Sequence, residues 1–126
     1  MITNLSICPI KKGTHLAKLI YKTELIIWDE APMCHKYCFE ALDKSLRDIL
    51  SDTNNTQADK PFGCKPILLG GDFRQILPVI SGGTKEQIIE ASSNHSYLWQ
   101  SFKIFHLIEN MRLSRPNLSD QDKKIF

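Results

Sequence analysis

The stretch Leu25-Ile26-Ile27-Trp28-Asp29-Glu30-Ala31-Pro32-Met33 constrains this chain more than any other: an apolar run stops abruptly at two adjacent carboxylates. Four large apolar residues after Lys22-Thr23-Glu24 read as a buried strand of a parallel sheet. Open α/β sheets place their chemistry beyond the carboxyl ends of their strands, which is where Asp29 and Glu30 fall.

Successive strand residues point to opposite faces, so two neighbouring carboxylates at a strand tip can serve two tasks. Such a pair is the Walker B arrangement of nucleotide-hydrolysing P-loop proteins. There the first acid holds Mg²⁺, commonly through water, and the second orients or activates the attacking water. The same residues also suit an ordinary acidic helix N-terminus, favoured by the helix dipole. The pair alone leaves these two readings level.

Two further stretches separate them. Leu68-Leu69-Gly70-Gly71-Asp72-Phe73-Arg74-Gln75-Ile76-Leu77-Pro78-Val79 and Leu107-Ile108-Glu109-Asn110-Met111-Arg112-Leu113 follow Trp28-Asp29-Glu30-Ala31-Pro32-Met33 in order. Together they resemble three motifs of the Pif family of superfamily 1 DNA helicases, nearest to its plant and Helitron-transposon branch. The likeness continues through residues 39–50 and 96–99 and covers residues 5–113.

That resemblance implies an α/β fold: a partial RecA-like P-loop lobe, with a mostly parallel sheet flanked by helices. It implies residues 1–113 as the partial lobe and 114–126 as a linker toward a second lobe that the sequence does not contain. The implied activity is ATP-dependent, 5′ to 3′ DNA unwinding, with ATP and single-stranded or forked DNA as partners and Mg²⁺ as cofactor. The implied setting is the nucleus, in DNA repair, recombination and telomere maintenance, or a Helitron transposon's replication machinery.

Residue by residue, Asp29, with Glu30 beside it, is the candidate Mg²⁺ site and Glu30 the candidate for activating water. Gln75 matches the motif glutamine that senses the γ-phosphate: its amide can hydrogen-bond to phosphate or to water. Arg112 matches the motif arginine whose guanidinium spreads over two γ-phosphate oxygens. An ordinary turn glutamine and a solvated arginine are the plain alternatives; the surrounding motifs raise both residues above them. Phe73 and Arg74 suit stacking on single-stranded DNA or contact with a second lobe, and a packed Phe73 is an equal alternative.

One part of the engine is missing. The phosphate-binding signature G-x-x-x-x-G-K-S/T occurs nowhere, and Lys12-Gly13-Thr14 has its lysine before the glycine. That loop supplies the backbone N–H groups and lysine that cradle the phosphates, so weak nucleotide binding is the expectation. The alternative to a helicase is therefore a catalytically inactive remnant of a Helitron-type transposon enzyme. An RNA-acting relative in superfamily 1 is disfavoured by the match around Asp72 and Gln75.

The remaining sequence is mostly structural. At 126 residues and 42% hydrophobic content the chain suits one globular domain. Sixteen basic against fourteen acidic residues, a net charge of +2, carry no argument for nucleic acid. Neither a membrane span nor a secretory leader is visible, so an intracellular, reduced setting is expected for Cys8, Cys34, Cys38 and Cys64.

Thr14 can cap a short helix carrying Leu16, Leu19 and Ile20. Pro32 permits or starts a longer one, with Phe39, Leu42, Leu46, Ile49 and Leu50 on one face. Its opposite face would hold the acid-first pairs Glu40 with Lys44 and Asp43 with Arg47. Residues 51–65 read as a mobile surface loop, 67–69 as a second strand, 85–90 as a helix and 103–107 as another strand.

Overall fold

A computed structural model describes residues 2–51, 59–72, 77–109 and 111. Within them, α1 (His15–Lys22) leads to β1 (Ile26–Trp28), the 15-residue α2 (Lys36–Leu50), β2 (Ile67–Leu69) and α3 (Lys85–Glu90). Single 3₁₀ turns at Ala31–Met33, Pro61–Cys64, Ser93–His95 and Trp99–Ser101 link them.

The strands pair in parallel, with Ile26 opposite Ile67, Ile27 opposite Leu68 and Trp28 opposite Leu69. Pro66 sits immediately before β2, where its missing N–H costs nothing, and its carbonyl still accepts from Ile26 N at 3.0 Å. Alternation then divides the strands: Ile26, Trp28, Ile67 and Leu69 pack toward the core, whereas Ile27 and Leu68 stay 66% and 52% exposed. The expected buried strand is thus half-buried on one face and exposed on the other. Among the described residues only one side of the sheet is covered.

That cover is α2. Phe39 and Leu46 are fully buried, and the Phe39 ring lies 4.7 Å from that of Trp28. Helix α2 begins later than Pro32: the proline opens the Ala31–Met33 turn, and His35 caps α2 by accepting from Tyr37 N at 3.1 Å. Thr14 caps α1 as expected, yet Leu16 and Leu19 remain exposed and only Ala17 is buried.

Two expectations about charge and loops need correction. Glu40 and Asp43 are not on a solvated face of α2 but buried, 7% and 1% exposed. Asp43 does pair with Arg47 at 2.9 Å, and it also accepts from Phe62 N at 2.6 Å and from the Tyr97 hydroxyl at 2.7 Å. Glu40 accepts from the Ser96 hydroxyl at 2.9 Å, while Lys44 donates to the Asn4 carbonyl. Buried carboxylates need several donors, and segments distant in sequence supply them.

The second concerns residues 51–65. Of the expected surface loop, 52–58 lie outside the described residues, but the Pro61–Cys64 turn is core: Phe62 is 4% exposed. Phe62, Gly63 and Cys64 run through the left-handed region, with φ of 54°, 58° and 64°. Asp43 holds this strained turn through the Phe62 amide.

Helix α3 carries a capping box between Thr84 and Gln87. Residues 103–107 form no strand. Ile104, Phe105 and Leu107 are 54%, 72% and 100% exposed, because a strand exists only beside a neighbour that takes its N–H and C=O groups. All four cysteines are free, with Cys64 exposed and the rest half-buried. Burial, and then the neighbouring Cys34, push the Cys38 thiol above its ordinary range.

Candidate active site

The carboxyl ends of β1 and β2 are joined by a ladder with one residue too many. Gly70 N donates to Trp28 O at 2.9 Å, which sets Gly70 opposite Asp29. In a regular parallel ladder the Gly70 carbonyl would then accept from residue 30. It accepts instead from Ala31 N at 2.9 Å, so Asp29 and Glu30 together oppose Gly70: a β-bulge.

Glu30 carries the consequence in its backbone, at φ 52° and ψ 34°, a left-handed conformation costing a non-glycine residue about 1 kcal/mol. Its displaced N–H donates to Asp29 Oδ1 at 2.9 Å. Both carboxylates are exposed, whereas Ala31 and Pro32 immediately after them are buried. The left-handed backbone at Glu30 thus takes it out of simple strand alternation. These acids do not open the long helix: α2 has no acidic residue in its first turn, and Glu30 precedes the Ala31–Met33 3₁₀ turn without a side-chain capping bond.

Against this turn lies Gly70-Gly71. Gly71 has φ 140°, and a Cβ there would stand 2.5 Å from Pro32 Cδ. Gly70 has ordinary φ, but a Cβ on it would come within 3.3 Å of Asp29 Oδ1. Asp72, half-buried, follows directly, so the second motif starts against the first. Gln75 and Arg112 lie outside the described residues, as do Phe73, Arg74 and Asn110. The structure thus joins Asp29 and Glu30 to Gly70, Gly71 and Asp72. Motif order alone did not reveal that Gly70 lies against the Asp29 carboxylate and Gly71 against Pro32. The Pro32 that fills the space beside Gly71 was the available signal.

The donor set suits a hard divalent cation. One Asp29 oxygen is engaged by the Glu30 amide, and the carboxylate is open to water. Among the described residues no three His, Cys, Asp or Glu side chains gather to enclose a metal. Mg²⁺ asks for little more than one or two carboxylates, water and substrate phosphates, so the pair fits it. A cavity of roughly 400 Å³ lies elsewhere, lined by Thr23, Glu24, Lys65 and Pro66 at the amino ends of the strands. Chemistry in parallel sheets belongs at the opposite end, so the exposed Asp29-Glu30 shelf, not this cavity, is the candidate site.

The model of the PIF1-like helicase family matches residues 1–126. The chain belongs to the PIF1-like helicase family. It is 28% identical over 111 residues to the ATP-dependent DNA helicase Pif1 of Psychrobacter sp. (strain PRwf-1), covering 88% of this chain and 16% of that protein. Among solved structures it is similar to a double mutant of the Pif1 helicase from Bacteroides, with TM-score 0.63 and 23% identity over 88% of this chain and 27% of that one. It also resembles the Bacteroides Pif1 helicase in complex with ADP-AlF₃ and ssDNA, with TM-score 0.54 and 25% identity over 82% of this chain and 27% of that one. These likenesses establish a RecA-like α/β fold, built here on the small parallel sheet flanked by helices. This member of the PIF1-like family spans well under half the length of those relatives.

Proposed function

We propose that this PIF1-like chain contributes the hydrolysis centre of an ATP-dependent DNA helicase acting 5′ to 3′ in DNA repair, recombination and telomere maintenance, within the nucleus. The observation that carries this reading is the bulge that presents Asp29 and Glu30 at the sheet's carboxyl end, against the Gly70-Gly71-Asp72 motif. The Bacteroides relative in complex with ADP-AlF₃ and ssDNA supports ATP and single-stranded DNA as partners.

In this reading Asp29, with Glu30 beside it, would hold Mg²⁺. When bound, the ion would neutralise charge on the substrate phosphates. Glu30, on its left-handed turn, aligns the attacking water and accepts its proton. Gln75 and Arg112 act at the γ-phosphate, Gln75 through its amide and Arg112 by offsetting charge that grows during phosphoryl transfer. Residues 114–126 lead toward a second lobe, and closure of two lobes on ATP drives movement along the strand.

In a helicase carrying this segment, Glu30→Gln keeps ATP binding but lowers DNA-stimulated turnover by about 10²- to 10⁴-fold, because the amide cannot accept a proton. Unchanged turnover in a steady-state ATPase assay overturns the assignment.

A further inference from the structure

The glycine at position 70 has no conformational reason to be glycine: unlike Gly71, it lies outside the positive-φ residues. What it lacks is a side chain, and the atom that its Cβ would crowd is Asp29 Oδ1, at 3.3 Å. The same Oδ1 accepts the Glu30 amide that the bulge removes from the ladder. The Gly70 N–H and C=O meanwhile hold the two ends of the bulge, on Trp28 O and Ala31 N, both at 2.9 Å.

From this geometry we propose that Gly70 is a positioning residue for the carboxylate pair. The absence of its side chain leaves Asp29 Oδ1 where it holds the Glu30 amide, a position that a Cβ on Gly70 would press on at 3.3 Å. Pro32, seated on Gly71, clamps the far side of the turn. Gly70 acts through Asp29, and Gly71 through Pro32 and the turn that follows the pair. The inference rests on the reading of those two residues as the hydrolysis pair and adds what holds them in register.

Gly70→Ala tests it without straining the backbone, since the φ there suits any residue. Amide hydrogen exchange on the 126-residue chain reads the geometry directly. Gly70→Ala and Asp29→Ala should each speed exchange at the Glu30 amide by about 5- to 10-fold. Combined they should add nothing further, because both remove the same contact. The Ala31 amide, held by Gly70 O and not by Asp29, should stay within about twofold in either single variant.

Mn²⁺, used as a paramagnetic probe, reads the function. Broadening around residues 29 and 30 should need about fivefold more Mn²⁺ in Gly70→Ala and vanish in Asp29→Asn, whose carbonyl keeps the Glu30 contact but not the charge. Loss of Ala31 protection together with Mn²⁺ affinity would mark a merely structural role and overturn the proposal. So would unchanged Glu30 exchange in Gly70→Ala, or independent effects in the double variant. If Gly70→Ala does not fold, recovery in the Asp29→Ala background supports the proposal and continued unfolding overturns it. Absence of Mn²⁺ broadening in the parent chain counts against the hydrolysis-site reading alone, since the exchange experiment still decides the role of Gly70.

Discussion

Glu30 combines a carboxylate at the candidate site with a backbone conformation that L-residues avoid. Glycine occupies that conformation without a Cβ penalty, although it also gains freedom in the unfolded chain. Glu30→Gly should therefore leave stability unchanged or raise it by up to about 1 kcal/mol while removing the group proposed to activate water. Parallel measurements of thermal midpoint and ATP turnover check this; a loss of stability would show that the bulge is not strained. Gly63 is the reverse case: at φ 58° a Cβ would stand 2.9 Å from Leu46 O, which is backbone and cannot give way. Gly63→Ala should cost about 2–3 kcal/mol in denaturant unfolding. The strain at Glu30 was not legible, because a left-handed φ forced on a glutamate leaves no mark in the sequence.

Helix α2 joins the site to the rest of the fold. Its apolar spacing announced the face on Trp28, and Phe39→Ala should cost about 3–5 kcal/mol by opening a cavity under β1. Ile27→Thr and Leu68→Thr, on the exposed face of the same strands, should each change stability by less than about 1 kcal/mol. Chemical unfolding of the three variants tests which side of the sheet α2 covers. Periodicity placed Asp43 with Arg47 on the face of α2 opposite the apolar one; the pair forms, but Asp43 is buried. In the fold it receives donors from Arg47, from the Phe62 amide and from the Tyr97 hydroxyl, so Asp43→Ala should cost about 3 kcal/mol. Lost hydration around its hydroxyl and then the hydrogen bond to buried Asp43 push the Tyr97 phenol above the ordinary tyrosine range, although the residue as a whole is 52% exposed. A raised phenol favours the fold while protonated, so this contribution is present below pH 10 and is lost as pH rises beyond it. Alkaline spectrophotometric titration should show one late-ionising tyrosine that disappears in Tyr97→Phe.

Across the whole molecule, the α3 region is tied back to α2 by charge. Lys36, buried, pairs with Glu90, and His95 Nδ1 stands 3.3 Å from the same carboxylate. The Lys36 hydrogen bond and charge hold the Glu90 carboxyl below its ordinary 4.5. A depressed carboxyl stabilises the fold above its unfolded value and loses that contribution as pH falls through the folded one. Thermal midpoints should therefore drop below pH 4.5, and less steeply in Glu90→Gln, which calorimetry across that range would detect. The sequence by itself determined the strand ending in two carboxylates, the helix beside it, the Gly70-Gly71-Asp72 motif and the family, since periodicity and ordered motifs are local properties. Tertiary structure alone decided that one extra residue bulges the ladder at Glu30, that Gly70 leaves room for Asp29, and that Asp43 is buried. Each of those depends on which distant backbone or side chain arrives at a given atom, and sequence spacing carries no record of that arrival.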